Sequence, residues 1–322
     1  MAGGHPMTAP GLAPLVEDYL AVRRRLGFQL DKPAALLAGF ARYADEAGHQ
    51  GPVTTGLTLR WVLSSGSGRE ARAARLTAVR GFARYRAAFD PGTEIPPPGL
   101  LGGRAGRSQP HIYADGEITA LLEQASLLAP RRGLCPRTYV TLFSLLAATG
   151  LRLSEACRLE IGDVDLAGGV LTIRATKFRK SRLVPLHPTA TLALSRYASD
   201  RDGYPNPGPS GSFFRTERKP ALTADTVEHT FSRLRQRLGW TAAGRARRPV
   251  IHDLRHTFAV RRLVRFCEDG TDVERKILAL STYLGHARIR HTYWYLTAVP
   301  ELMAITSQRF EQFAGQSQGG QA

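Results

Sequence analysis

Lysine is almost missing from this chain. It stands only at positions 32, 177, 180, 219 and 276, so arginine supplies nearly all of the 44 basic residues among 322. Acidic residues are also few, at 27, which leaves a formal charge of +17. GC-rich coding enriches arginine without any functional cause. The functional reading is a polyanionic partner, because a planar guanidinium matches phosphate oxygens and stays charged. Cysteine occurs three times, at Cys135, Cys157 and Cys267, with no CxxC pair. That count and spacing exclude a disulfide framework and a zinc ribbon, and fit a reducing cytoplasm. No apolar run reaches the roughly 20 residues of a membrane span. Residues 1–14 lack the apolar stretch of a signal peptide and read as a floppy leader. The hydrophobic share of 43% is enough for a real core and excludes wholesale disorder.

The length suggests two domains. Apolar residues at helical spacing predict helices at about 12–26 and 33–47, a short one following Thr55–Gly56 through Leu63, and one at about 69–89. The last carries Arg69, Arg72, Arg75, Arg80, Arg84 and Arg86 against a single acid, Glu70. We read these arginines as one phosphate-binding face; the alternative is a merely solvated one. Residues 90–110 hold five prolines and five glycines and mark the domain boundary. The expected division is a helical bundle over 11–95, a linker over 96–110, a larger domain over 111–313 and a disordered tail over 314–322. The larger domain opens with a helix after Asp115. A very apolar helix at 137–148 ends at Gly150. Strands are expected at 169–174 and 182–186, then helices to residue 297 and an amphipathic segment at 300–313.

Four distant segments concentrate the reactive residue types. The first is ATGLRLSEACRL at 148–159, with Arg152 after a helix-ending glycine. The second is the basic turn TKFRKSRLVPL at 176–186, holding Lys177, Arg179 and Lys180. The third is HDLRHTFA at 252–259, where the spacing puts His252, Arg255 and His256 on neighbouring surface of one helix. The fourth is LGHARIRHTYWYLT at 284–297, with His286, Tyr293 and Tyr295. Two residues apart on a helix, the tyrosines point roughly opposite ways, so one of them packs. Trp294 is expected in the core.

Together these segments resemble the tyrosine site-specific recombinases, the phage-type integrases. The family pattern is an arginine after TG-L, a hairpin lysine, H-x-x-R, L-G-H and a tyrosine nine residues past that histidine. The matching positions are Arg152, Lys177, His252, Arg255, His286 and Tyr295. The resemblance covers about 112–311. Two departures stand out: Phe178 where the family usually has glycine, and a basic run from Ala287 to His291 where Ser and Thr are usual. Lys177 is preferred over Lys180 for its distance from the following strand. The resemblance implies a mainly α fold with a small β-sheet or hairpin. An N-terminal helical, SAM-like core-binding bundle would precede a mixed α/β catalytic domain. Tyr295 would attack DNA to give a 3′-phosphotyrosine, with strand exchange through a Holliday junction. The implied partner is double-stranded DNA carrying a specific site, bound by a homotetramer that is monomeric or dimeric when free. A nucleoid-associated, cytoplasmic enzyme is expected.

The chemistry is consistent with that set. Attack on a phosphodiester builds negative charge that two arginines can clamp with bidentate bonds. A phenol has an unperturbed pKa of about 10, so a histidine or nearby cations must help remove its proton. A lysine can protonate the leaving oxygen. No metal and no ATP are needed. Glu155 would buttress Arg152, and His256 would be a structural hydrogen-bonder. A zinc site on His252, His256 and His286 is the alternative, opposed by the charge of Arg255 between them. A catalytically silent DNA-binding regulator and a topoisomerase- or resolvase-like strand transferase stay open at this point.

Overall fold

The computed structural model describes residues 11–64, 66, 68–101, 109–174, 181–206, 211–242, 247–269, 273–286 and 288–298. The chain divides into two compact units, Met1–Gly106 and Arg107–Ala322.

Among the described residues the first unit holds four helices: α1 (Leu12–Arg25), α2 (Asp31–Glu46), α3 (Thr55–Leu63) and α4 (Arg69–Arg86). Each turns one apolar stripe inward, and Leu37, Phe40, Leu57, Val62, Val79 and Phe82 are fully buried. Thr54 caps α3 by accepting the Leu57 N–H at 3.1 Å. The opening of the Pro/Gly-rich segment packs here and is no free tether. Arg80 donates to the carbonyls of Pro96 and Pro97, each at 2.8 Å. Leu100 and Leu101 lie against the same core.

The second unit is mostly helical around a small sheet. Its helices are α5 (Asp115–Ser126), α6 (Leu134–Thr149), α7 (Leu153–Cys157), α8 (Pro188–Asp202), α9 (Ala224–Arg237), α10 (Asp253–Glu268), α11 (Val273–Leu284) and α12 (Arg290–Ala298). At the start of α5 the Glu117 carboxylate accepts the Ala114 N–H at 2.9 Å. Among the described residues three antiparallel strands run in the order β1 (Val164–Asp165), β2 (Val170–Ile173), β3 (Arg182–Pro185). The register pairs Val170 with Pro185 and Ile173 with Arg182. Strand β1, two residues long, carries too little pattern to be read from sequence. Helix α6 is the spine, with nine buried residues including Leu142, Phe143 and Leu146. A separate apolar cluster joins Phe258, Leu263, Ile277, Leu280, Leu284 and Tyr295 on α10, α11 and α12. No described helix is long and apolar enough to cross a membrane. The 300–313 segment and the tail lie outside the described residues.

Candidate active site

The ends of α6 and α11 meet the starts of α7 and α10 in the second unit. Helix α6 stops at Gly150 with φ +63°, a conformation that suits glycine. A Cβ there would lie 2.6 Å from the Phe258 ring, so space as well as backbone demands glycine. Arg152 follows as the cap of α7. Glu155 turns back on it, accepting the Arg152 N–H at 3.0 Å and its Nη1 at 2.7 Å. The Arg152 side chain remains about one-third exposed, at 32%.

Arg255 is 3% exposed. Its Nη1 donates to the Gly150 carbonyl at 2.6 Å and its Nη2 to the Leu284 carbonyl at 2.7 Å. Both acceptors sit at helix C-termini, the electronegative ends, which is how a buried cation is tolerated. Burial, with the Arg152 charge beside it, lowers the Arg255 pKa to about 10, so it stays charged at neutral pH. Arg152 Nη2 donates to the Gly285 carbonyl at 2.8 Å. The two arginines are thus braced on adjacent residues of one turn.

The tyrosine that packs is Tyr295, 2% exposed, whereas Tyr293 is 39% exposed. The Tyr295 hydroxyl is hydrogen-bonded to His256 Nδ1 at 2.7 Å. His256 was expected to be structural; the structure puts it, rather than His252, on the phenol. The reason is helical position. His252 sits at the exposed cap of α10, while His256 is one turn further in and 7% exposed. The His252 ring stands edge-on to His256, 4.8 Å away. Trp294 is only half-buried, its ring 6.0 Å from that of His256. His286 Nδ1 bonds the buried Thr292 hydroxyl at 2.7 Å. Lys177 and Arg179 lie outside the described residues.

One member of the cluster was missed by the sequence reading. Arg182, the first residue of β3, donates Nη1 and Nη2 to the two Glu155 oxygens at 3.1 and 2.9 Å. Its Nε donates to the Tyr283 carbonyl at 2.8 Å. A signal existed, because residues two apart on a strand share a face and Val184 is a core residue. An arginine on an inward face needs a buried acid. Burial alone would raise the Glu155 carboxyl, but Arg182 and Arg152 outweigh it and hold the pKa at about 2.

That depression is a stability statement. With a folded pKa near 2 and an ordinary value of 4.5, the stabilisation is complete above about 4.5 and fades as pH falls toward 2. It amounts to about 3 kcal/mol. Glu155→Gln is therefore expected to melt lower than the parent at pH 7. In a pH series of melts, the gap should close between 4.5 and 2. A gap that stays constant to pH 2 would contradict the pairing.

Gly285 has φ +66°, and a Cβ there would lie 2.8 Å from Arg182 Nη1. Gly285→Ala is expected to cost about 1–3 kcal/mol and to slow any reaction that uses Arg152. Thermal melting checks the first part.

The arginines of α4 do not form one face. At about 100° per residue, Arg72, Arg75 and Arg86 fall on the side of Leu76, Val79 and Phe82, and all three are half-buried. Arg75 donates to the Trp61 carbonyl at 3.3 Å and lies over its ring. Arg86 lies 3.9 Å from Asp90. Arg69 and Arg84 are exposed, and Arg80 holds the Pro96–Pro97 carbonyls. Among the described residues no group of three His, Cys, Asp or Glu side chains could hold a metal ion.

The model of the Phage integrase family matches residues 119–301. A putative integrase/recombinase, y4rB of Sinorhizobium fredii, is 41% identical over 92% of this chain and 96% of its own length. The tyrosine recombinase XerD of Pseudomonas putida is 30% identical over 74% of each chain. Among solved structures, the Tn1549 transposon integrase in complex with transposon right-end DNA superposes with TM-score 0.66. It is 16% identical, over 93% of this chain and 99% of that one. The recombinase XerH bound to its palindromic difH substrate gives TM-score 0.62 at 20% identity, over 93% of this chain and 83% of that one. The last two likenesses concern the fold. By its matched domain and by relatives that span most of its length, the chain belongs to the phage integrase family of tyrosine recombinases, enzymes that break and rejoin DNA.

Proposed function

We propose that this site-specific recombinase cleaves one strand at a time with Tyr295 as the nucleophile. The phenol oxygen bonds to the scissile phosphorus while the bond from phosphorus to the 5′ oxygen breaks. The phenol proton passes to His256, with His252 beside it. The 5′ oxygen takes a proton from Lys177. Arg152 and Arg255 neutralise the charge that develops on the phosphate oxygens, and His286 adds a donor beside them. Glu155 holds Arg152 in place. A 5′-hydroxyl from the partner strand then reverses the step and releases Tyr295. The bond energy is kept in the phosphotyrosine, so neither ATP nor a metal is required.

The observation that carries this reading is the brace. Arg152 and Arg255 are pinned to the adjacent carbonyls of Gly285 and Leu284, while the next residue after Arg255 holds the Tyr295 hydroxyl. A silent DNA-binding protein has no need of a buried arginine fixed in this way. Tyr295 is buried at rest, so α12 must shift or the ring must turn outward before it meets a phosphate. Assembly as a tetramer on two synapsed duplexes follows from the exchange of strands. Of the helix α4 arginines, Arg69 and Arg84 best suit backbone phosphates, and Arg179 in the 176–186 turn suits them too.

The test is covalent capture. The purified protein is mixed with a pool of nicked duplexes of randomised sequence, with chelator present and no nucleotide, and DNA that stays attached under denaturing conditions is recovered. Recovery of a recurring sequence linked to the protein is expected. A protein that binds duplexes yet never attaches to any would overturn the reading.

A further inference from the structure

We propose that Arg182 is a positioning residue for the strand-cleavage step, acting on the scissile phosphate through Glu155 and Arg152. This rests on the reading of Arg152 as a phosphate clamp. Three successive carbonyls at the end of α11 each receive a different arginine: Tyr283 from Arg182, Leu284 from Arg255 and Gly285 from Arg152. Two of these arginines also hold Glu155. Arg182 takes both carboxylate oxygens, which fixes the plane of that group. Arg152 then finds one oxygen in a set place, at 2.7 Å. Without Arg182 the carboxylate would be held by Arg152 alone, through its backbone N–H and Nη1, and would cancel the Arg152 charge. With a second guanidinium on it, the trio of Arg152, Glu155 and Arg182 keeps a net positive charge for the phosphate.

Burial separates the two roles. The Arg182 side chain is 11% exposed and the Arg152 side chain 32%. Arg152 has open surface toward which DNA can come, whereas Arg182 stands behind it. The bare α-carbon of Gly285 leaves Arg182 its room, since a Cβ would lie 3.0 Å from the guanidinium carbon. Arg182 therefore does not touch the reacting atoms and works by holding the residue that does.

The experiment uses the captured duplex in two forms, one with the natural phosphodiester and one with a neutral methylphosphonate at the scissile position. The second lacks the charge that Arg152 neutralises, so a defect confined to Arg152 matters little on it. Arg182→Ala is expected to cleave the phosphodiester about a hundredfold more slowly than the parent, the usual cost of misplacing a catalytic group. On the methylphosphonate it should come within about fivefold of the parent, because only charge neutralisation is impaired. If Arg182→Ala does not fold, Arg182→Lys, which keeps the stem and the charge but not the grip on both oxygens, is measured in its place, with a smaller deficit on the phosphodiester and the same rescue on the methylphosphonate. Arg152→Ala is run beside it. Equal deficits of the Arg182 variant on both substrates, with Arg152→Ala rescued, would overturn the role of Arg182 alone. Failure of the methylphosphonate to rescue Arg152→Ala would overturn the clamp reading itself. A phosphodiester rate equal to the parent's would also overturn the proposal.

Discussion

Arg255→Ala is expected to slow covalent capture by about 100- to 1,000-fold, the range seen when one preorganised donor to a developing oxyanion is removed. Duplex binding should change little, because most binding free energy comes from many phosphate contacts spread over the protein. The substitution also strips the Gly150 and Leu284 carbonyls of their partner. Each buried acceptor left unpaired costs about 1–3 kcal/mol, so a lower melting temperature should accompany the lost rate. Arg255→Lys separates the two effects. It keeps a cation but cannot reach two carbonyls and a phosphate with one ammonium. Its rate should therefore lie between those of the parent and the alanine variant. Because the Arg255 pKa is near 10, the loss should be the same across neutral pH. A gel-shift titration, a single-turnover cleavage rate and a melt make the comparison. Unchanged cleavage in Arg255→Ala would remove it from the chemistry.

Tyr295→Phe is expected to abolish the covalent complex, with duplex binding retained. The ring keeps its place in the apolar cluster with Leu280 and Leu284, since only one oxygen is removed. What is lost is the nucleophile and the partner of His256 Nδ1. Tyr293→Phe is the matched control. Tyr293 is 39% exposed on the other side of α12, so its hydroxyl can go without harm to the core. The parent and Tyr293→Phe should form the adduct at similar rates.

The resemblance to the tyrosine recombinases, carried by short segments, pointed to Arg152, Glu155, Arg255, His286 and Tyr295; spacing by itself left Tyr293 and Tyr295 both open. Gly150 was readable as the glycine that ends a helix, and it has positive φ; Gly285, also with positive φ, was not read so. Arg182 was not picked out. Its partner Glu155 is 27 residues away, on α7, and only the tertiary fold brings the two together. Strand alternation pointed to an inward arginine but not to the acid it meets. The choice between His252 and His256 depended on where α10 begins, a boundary that shifts by a residue or two in any pattern reading. The error on α4 was of another kind. Counting arginines suggested a basic face, whereas the helical angle of each one, legible from the start, divides them between the core margin and solvent.

The central claim is that Tyr295 carries the DNA. Its most direct measurement is to digest the captured protein–DNA complex and locate the nucleotide by fragment mass spectrometry. Cleavage after Arg290 releases a peptide that holds both Tyr293 and Tyr295, so the fragment ladder distinguishes them in one experiment. The nucleotide mass is expected on Tyr295 in every adduct. Its appearance on Tyr293, or on a serine or histidine elsewhere, would contradict Tyr295 as the nucleophile.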